Sequence, residues 1–94
     1  MKKIMYAKLP VSIIKEGKKF IAYSPAIDLS TSGRTYSEVK KRFAEIVDIF
    51  FDEISKRGTL EESLHELGWK KSQSQWLPPV VISQESALFK MPVR

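Results

Sequence analysis

Thr35-Tyr36-Ser37-Glu38-Val39-Lys40-Lys41-Arg42-Phe43-Ala44-Glu45-Ile46-Val47-Asp48-Ile49-Phe50-Phe51-Asp52-Glu53-Ile54-Ser55-Lys56-Arg57, closed by Gly58, is the stretch that decides the fold of this 94-residue chain. Val39, Phe43, Ile46, Val47, Phe50 and Ile54 recur at spacings of three and four. On a helix they fall within about 100° of one another, the width of a core-facing stripe. Thr35 with Glu38 three residues on is the reciprocal pair that satisfies two orphan amides at a helix start. Gly58 supplies the left-handed residue that ends one. Such a helix is about 35 Å long at 1.5 Å per residue. No other segment carries as much periodic apolar surface, so the remainder of the chain is expected to lie against it.

Upstream of the helix the pattern is that of strands. Ile4 to Lys15 is rich in β-branched residues in its second half, with Pro10 marking an edge, a bulge or a break between an arm and the strand proper. Glu16-Gly17-Lys18 is a short glycine turn into a second strand, Lys19 to Ser24, and the two form a tight hairpin. Pro25 ends that strand. A short third strand is expected from about Asp28 to Ser32, where apolar and polar residues alternate before Gly33 breaks the pattern. Three antiparallel strands then present an apolar face, and the long helix covers it.

Downstream, Thr59-Leu60-Glu61-Glu62 repeats the capping-box signal and opens a short helix with Leu60, Leu64 and Leu67 on one face and Gly68 as its stop. Residues 70–75 lack any apolar member and are expected to be loop. Trp76-Leu77-Pro78-Pro79 is an extended approach, because a proline disfavours helix in the residue before it. Val80 to Ser83 is expected to be a fourth strand, which Ala87 to Val93 either extends or follows as a fifth. The expected class is therefore α+β in the order β-β-β-α-α-β. It forms one domain over 1–94, with its core at about 4–69 and an extended tail at 76–94.

Composition narrows the function classes. An apolar fraction of 43% and a charged fraction of 29% are ordinary globular values. The absence of cysteine excludes disulfides and thiolate metal sites and favours a reducing compartment. Met1-Lys2-Lys3 is a basic start with no apolar run behind it, so neither a signal peptide nor a membrane span is expected, and the cytoplasm is the expected location. The formal charge of +5 is unevenly spread. Residues 1–33 have six Lys against Glu16 and Asp28, a balance of +4; residues 34–68 have six basic and eight acidic groups, −2; residues 69–94 have four basic groups against Glu85, +3. A basic excess at the two ends permits an acidic or nucleic-acid partner without requiring one.

Catalytic and metal-binding constellations are thin. His65 is the single histidine and points off the Leu60/Leu64/Leu67 face, so a solvated side chain is expected rather than a zinc ligand. Asp28, Asp48 and Asp52 are the set from which a two-metal site could be built, but Asp48 and Asp52 lie on the helix side opposite Val39 and Phe50, which fits solvated charges. Lys40, Lys41 and Arg42 are interleaved with Glu38 and Glu45, the pattern of a solvated face. Trp69 and Trp76 flank the polar loop and are expected to clamp the tail; Phe51, just off the stripe, either widens the core or meets a partner.

The ordered run Phe20-Ile21-Ala22-Tyr23-Ser24-Pro25, then Asp28-Leu29-Ser30-Thr31-Ser32-Gly33-Arg34-Thr35, then Glu38 and the long helix resembles the HicB-like antitoxin domain. Thr59-Leu60-Glu61-Glu62 with Leu67-Gly68-Trp69 looks like a subgroup of it, and the likeness covers about residues 9–69. The resemblance implies a degenerate RNase H-like fold without catalytic acids. It also implies a role in prokaryotic toxin–antitoxin systems: direct contact that blocks a small HicA-type mRNA-cleaving toxin, often as a homodimer or higher homo-oligomer. Tyr23, Pro25, Asp28, Thr31, Gly33 and Thr35 are the family-motif positions it nominates for partner contact. It implies no catalysis and no cofactor. The family's Pro-Gly-Cys-like segment is replaced here by Pro25-Ala26-Ile27-Asp28-Leu29. Only 25 residues follow Trp69, with no second helical pattern, so a C-terminal DNA-binding domain is not expected and DNA contact stays open. The alternative is a small basic nucleic-acid-binding module using the N-terminal hairpin and the tail lysines. An edge strand within 80–91 also invites strand-exchanged dimers.

Overall fold

A computed structural model describes residues 4–94; the basic Met1-Lys2-Lys3 start lies outside the described residues. The elements are β1 (Ser12–Glu16), β2 (Lys19–Ser24), β3 (Leu29–Gly33), α1 (Tyr36–Lys56), α2 (Leu60–Glu66), β4 (Lys70–Ser72) and β5 (Gln75–Leu77). The first three form an antiparallel sheet in the order β1-β2-β3, and β4 and β5 form a separate two-stranded sheet. The class is α+β. Glu16 pairs with Lys19 across the two-residue loop Gly17-Lys18, which places β1 and β2 in a tight hairpin.

Register assigns the two faces of the sheet. Ile13 lies opposite Ala22 and Ala22 opposite Thr31, while Lys15, Phe20 and Gly33 form the neighbouring row. Directly opposed residues share a face, and these rows carry Ala22 and Gly33, both buried. They face α1, whose Val39, Phe43 and Ile54 are buried and whose Ile46, Val47 and Phe50 pack beside them. All six stripe residues thus meet the core. Gly33 ends β3 where the strand runs into the first turn of α1. A Cβ there would stand 2.9 Å from the Val39 backbone nitrogen, so the strand meets the helix more closely than any side chain allows.

Both helices stop on the same device. Gly58 has φ +70°, its N–H donates to the Ser55 carbonyl at 3.1 Å, and Thr59 N–H donates to Ile54 at 3.0 Å. Gly68 has φ +89°, with matching bonds from Gly68 N–H to His65 and from Trp69 N–H to Leu64. This is the two-bond glycine stop that satisfies the last helical carbonyls.

Helix starts depart from the expected symmetry. At α1 the Glu38 N–H donates to Thr35 Oγ1 at 3.0 Å, while the Glu38 carboxylate turns forward to Arg42 at 2.9 Å. At α2 the Thr59 side chain makes no capping bond; its hydroxyl donates to the Ile54 carbonyl at 3.4 Å. Thr59 still opens α2 through its carbonyl, which accepts from the Ser63 N–H at 2.9 Å, while its hydroxyl is turned back to the end of α1.

Three expectations are corrected. The third strand begins at Leu29, because Asp28 sits at φ +51°, in the left-handed region that closes the β2–β3 turn. The expected loop at 70–75 instead provides β4 and the start of β5, with Lys71 opposite Trp76 and Gln73 at φ +56° in the turn. One inward side chain suffices: Trp76 is buried, and the Lys71 ammonium sits 5.6 Å from its ring centre. The expected strand at 80–83 is not formed. Residues 81–84 run beside Pro10 to Ser12, touching through Gln84 Nε2 and Ser12 Oγ at 3.0 Å, without a backbone ladder.

Replacing Gly33 with Ala is expected to destabilise the fold by about 1–3 kcal/mol, as inserted core atoms do when backbone must move. Thermal unfolding followed by circular dichroism should show a fall of several degrees. In the same assay Thr35→Ala should cost about 1 kcal/mol through the lost cap, and Thr59→Ala distinctly less.

Candidate functional site

Two surfaces stand out. The first is the sheet face turned away from α1. Ile14 lies opposite Ile21 and Ile21 opposite Ser32; Ser12, Tyr23 and Ser30 form the row beside them. Ile14 is half exposed, and Ile21 and Tyr23 are partly covered by their neighbours. The Tyr23 hydroxyl donates to Asp28 Oδ1 at 3.2 Å, which joins this face to the β2–β3 turn. That turn folds inward: Ala26 and Ile27 are buried, and Ser24 Oγ, also buried, accepts from the Ala26 N–H at 3.3 Å. Partial loss of solvation at the Tyr23 ring, then the hydrogen bond to Asp28 and that carboxylate's negative charge, raise the Tyr23 phenol above its ordinary value.

The six motif positions therefore divide. Tyr23, Pro25 and Asp28 come together at one end of the outer face, with Pro25 and Asp28 exposed. Thr31 faces α1, Gly33 is buried against Val39, and Thr35 caps the helix. The last three build the scaffold.

The second surface is a groove of about 990 Å³ between the arm at residues 4–9, the second half of α1 and the β4–β5 unit. Val47, Phe51, Leu60 and Trp69 are among its apolar lining, and Asp48 and Asp52 stand on the α1 side. Phe51 meets Phe50 edge-on at 5.3 Å and Trp69 at 6.1 Å, so it both extends the core and lines the groove. Helical periodicity does not reveal this groove; the signals for it are the apolar Ile4-Met5-Tyr6 ahead of Pro10 and Phe51 just off the stripe.

The two tryptophans hold parts of the body together. Trp69 Nε1 donates to the Ala26 carbonyl at 2.7 Å, and Trp76 packs edge-on with His65 at 5.2 Å. His65 is otherwise exposed. Among the described residues, no three His, Asp or Glu side chains converge to hold a metal, and no helix is long and apolar enough to cross a membrane. Basic groups are parted: Lys18 and Lys19 sit at the hairpin end of β2, whereas Lys71 lies beyond Trp69, which binds at the other end. Lys71 is held by Glu61 at 2.9 Å, an attraction that keeps the Glu61 carboxyl below its ordinary value.

Comparison with models of known families, with curated proteins and with solved structures finds no match in any of the three.

Asp28→Asn is expected to move the Tyr23 titration down toward the ordinary tyrosine value, followed by tyrosinate absorbance. Because the folded value is raised, the stabilising contribution is present below the unfolded value of about 10. It is lost as pH rises through the folded value, so the high-pH limb of stability should shift less in the variant than in the parent.

Proposed function

We propose that this chain is a non-catalytic binding protein of the HicB-like antitoxin type, which neutralises a small RNA-cleaving toxin by covering it. The observation that carries the proposal is the uncovered outer face of the β1-β2-β3 sheet. An antiparallel sheet with a helix on one side normally turns a polar face to water. This one sets Ile14 and Ile21 side by side, with Tyr23 and Asp28 at the margin. An apolar strip with an adjoining tyrosine–carboxylate pair is suited to a protein partner, because a tyrosine brings large contact area and a polar tip together. The strand order and the position of Tyr23, Pro25 and Asp28 at one end of the face agree with the motif order that resembles the family. Neutralisation of this kind is steric, so it asks the chain for shape and contact area and for no reacting group.

The test is co-expression with the small protein encoded beside this one. The neighbour should arrest growth alone and be silenced, and co-purified, by this chain. Ile14→Arg should abolish both effects while leaving the circular dichroism spectrum unchanged, since Ile14 is half exposed. A neighbour that is neither toxic nor bound rejects the proposal.

A further inference from the structure

The tail from residue 78 onward carries seven large apolar side chains that water can reach. Val80, Val81 and Ile82 are exposed near its root, and Leu88, Phe89, Met91 and Val93 beyond it, with Leu88 and Phe89 at 101% and 82% exposure. No part of the body covers the second group. The radius of gyration is 16.2 Å, against about 12 Å for a compact chain of this length. The longest extent is 57 Å, against 28 and 22 Å across. Gln84 ties the root of the tail to Ser12, and from Glu85 onward the chain leaves the body.

The same chain has an open apolar groove beside α1. Its lining includes Val47, Phe51 and Leu60, and its α1 wall carries two carboxylates. Asp52 already holds Lys56 at 2.8 Å, whereas Asp48 has no ion-pair partner among the described residues. The tail runs Leu88-Phe89-Lys90-Met91-Pro92-Val93-Arg94, apolar side chains punctuated by two cations. Charge and polarity are thus complementary between the tail and the groove. Residues 85–94 extend up to about 35 Å, and the groove wall from Val47 to Ser55 is about 12 Å long.

We infer that the segment Leu88 to Val93 of one copy docks in the groove of a second copy, reciprocally, forming a two-fold dimer. Phe89 and Leu88 enter the apolar floor between α1 and Trp69, and Lys90 meets Asp48 at the wall. Each chain offers one segment and one groove, so a closed pair occupies the segment and the groove of both copies and leaves neither for a third. An exposed apolar surface of this extent on a lone chain is otherwise an aggregation liability. The inference is independent of the toxin proposal, because the groove lining shares no residue with the outer sheet face.

The test is analytical ultracentrifugation of the full-length chain across a dilution series, with circular dichroism as the check of folding. A dimer is expected, with Phe89→Asp monomeric and equally helical. Asp48→Lys should weaken dimerisation, and Lys90→Asp in the same chain should restore it. A two-fold interface contains the contact twice, so a loss of about fivefold per exposed pair becomes about 25-fold overall. A full-length chain that stays monomeric throughout, including one whose tail folds into its own groove, overturns the inference. So does a dimer that survives Phe89→Asp, or an Asp48→Lys chain that Lys90→Asp does not rescue.

Discussion

The hydrogen bond from Trp69 Nε1 to the Ala26 carbonyl, 2.7 Å long and buried, joins two parts of the chain 43 residues apart. The β2–β3 turn carries Ala26 and Ile27 into the core, and a carbonyl turned inward there needs a donor, since an unmatched buried acceptor costs about 1–3 kcal/mol. Trp69 is delivered by the glycine stop of α2, immediately before β4 begins. One bond therefore locates the turn that bears Asp28, the end of α2 and the root of the β4–β5 unit. Phe51 meets the same indole edge-on, so the lining of the groove depends on it as well.

Around that junction α1 divides the molecule's surfaces. Its stripe covers one face of the three-stranded sheet, and this leaves the opposite face open with Ile14, Ile21 and Tyr23 on it. Its far half, from Val47 to Ser55, is one wall of the groove. The sheet edges are treated differently. Arg42 reaches across from α1 to the Ser32 carbonyl at 3.0 Å, which covers part of the β3 edge. The β1 edge has no strand beside it among the described residues and is met by Gln84 at Ser12. Edges left without a ladder are where further strands or partners add.

How much was legible depends on how local each signal is. The helix from Thr35 to Gly58, the Lys19–Ser24 strand, the Gly17 turn and the two glycine stops were all readable, because each rests on neighbours within a few residues. The two capping boxes look alike as sequence but differ in the structure: the Thr35 hydroxyl accepts from Glu38, whereas the Thr59 hydroxyl points back to the Ile54 carbonyl. The β4–β5 unit was missed because its six polar residues, 70–75, carry no period. Only the burial of Trp76, with Lys71 and His65 packed on its ring, makes it a hairpin. Val80 to Ser83 showed the opposite error: strong strand propensity, yet the segment lies beside Pro10 to Ser12 without a ladder, and Pro10 has no N–H to donate to one. Of the six motif positions, sequence alone did not separate Tyr23, Pro25 and Asp28, at the outer face and its adjoining turn, from Thr31, Gly33 and Thr35, which build the strand and the helix start.

By itself the sequence determined the long helix, its start and its stop, and the three strands whose apolar rows require it as a cover. Those features depend on side-chain period and on glycine and threonine chemistry, which act over one turn of helix or one pair of residues. Tertiary structure decided that the β2–β3 turn faces inward, that the tail meets the start of β1 through side chains and not through a ladder, and that a groove opens beside Phe51. Each of these depends on which distant groups come within hydrogen-bonding or packing distance. Trp69, 43 residues from Ala26, is the contact that local pattern could not supply.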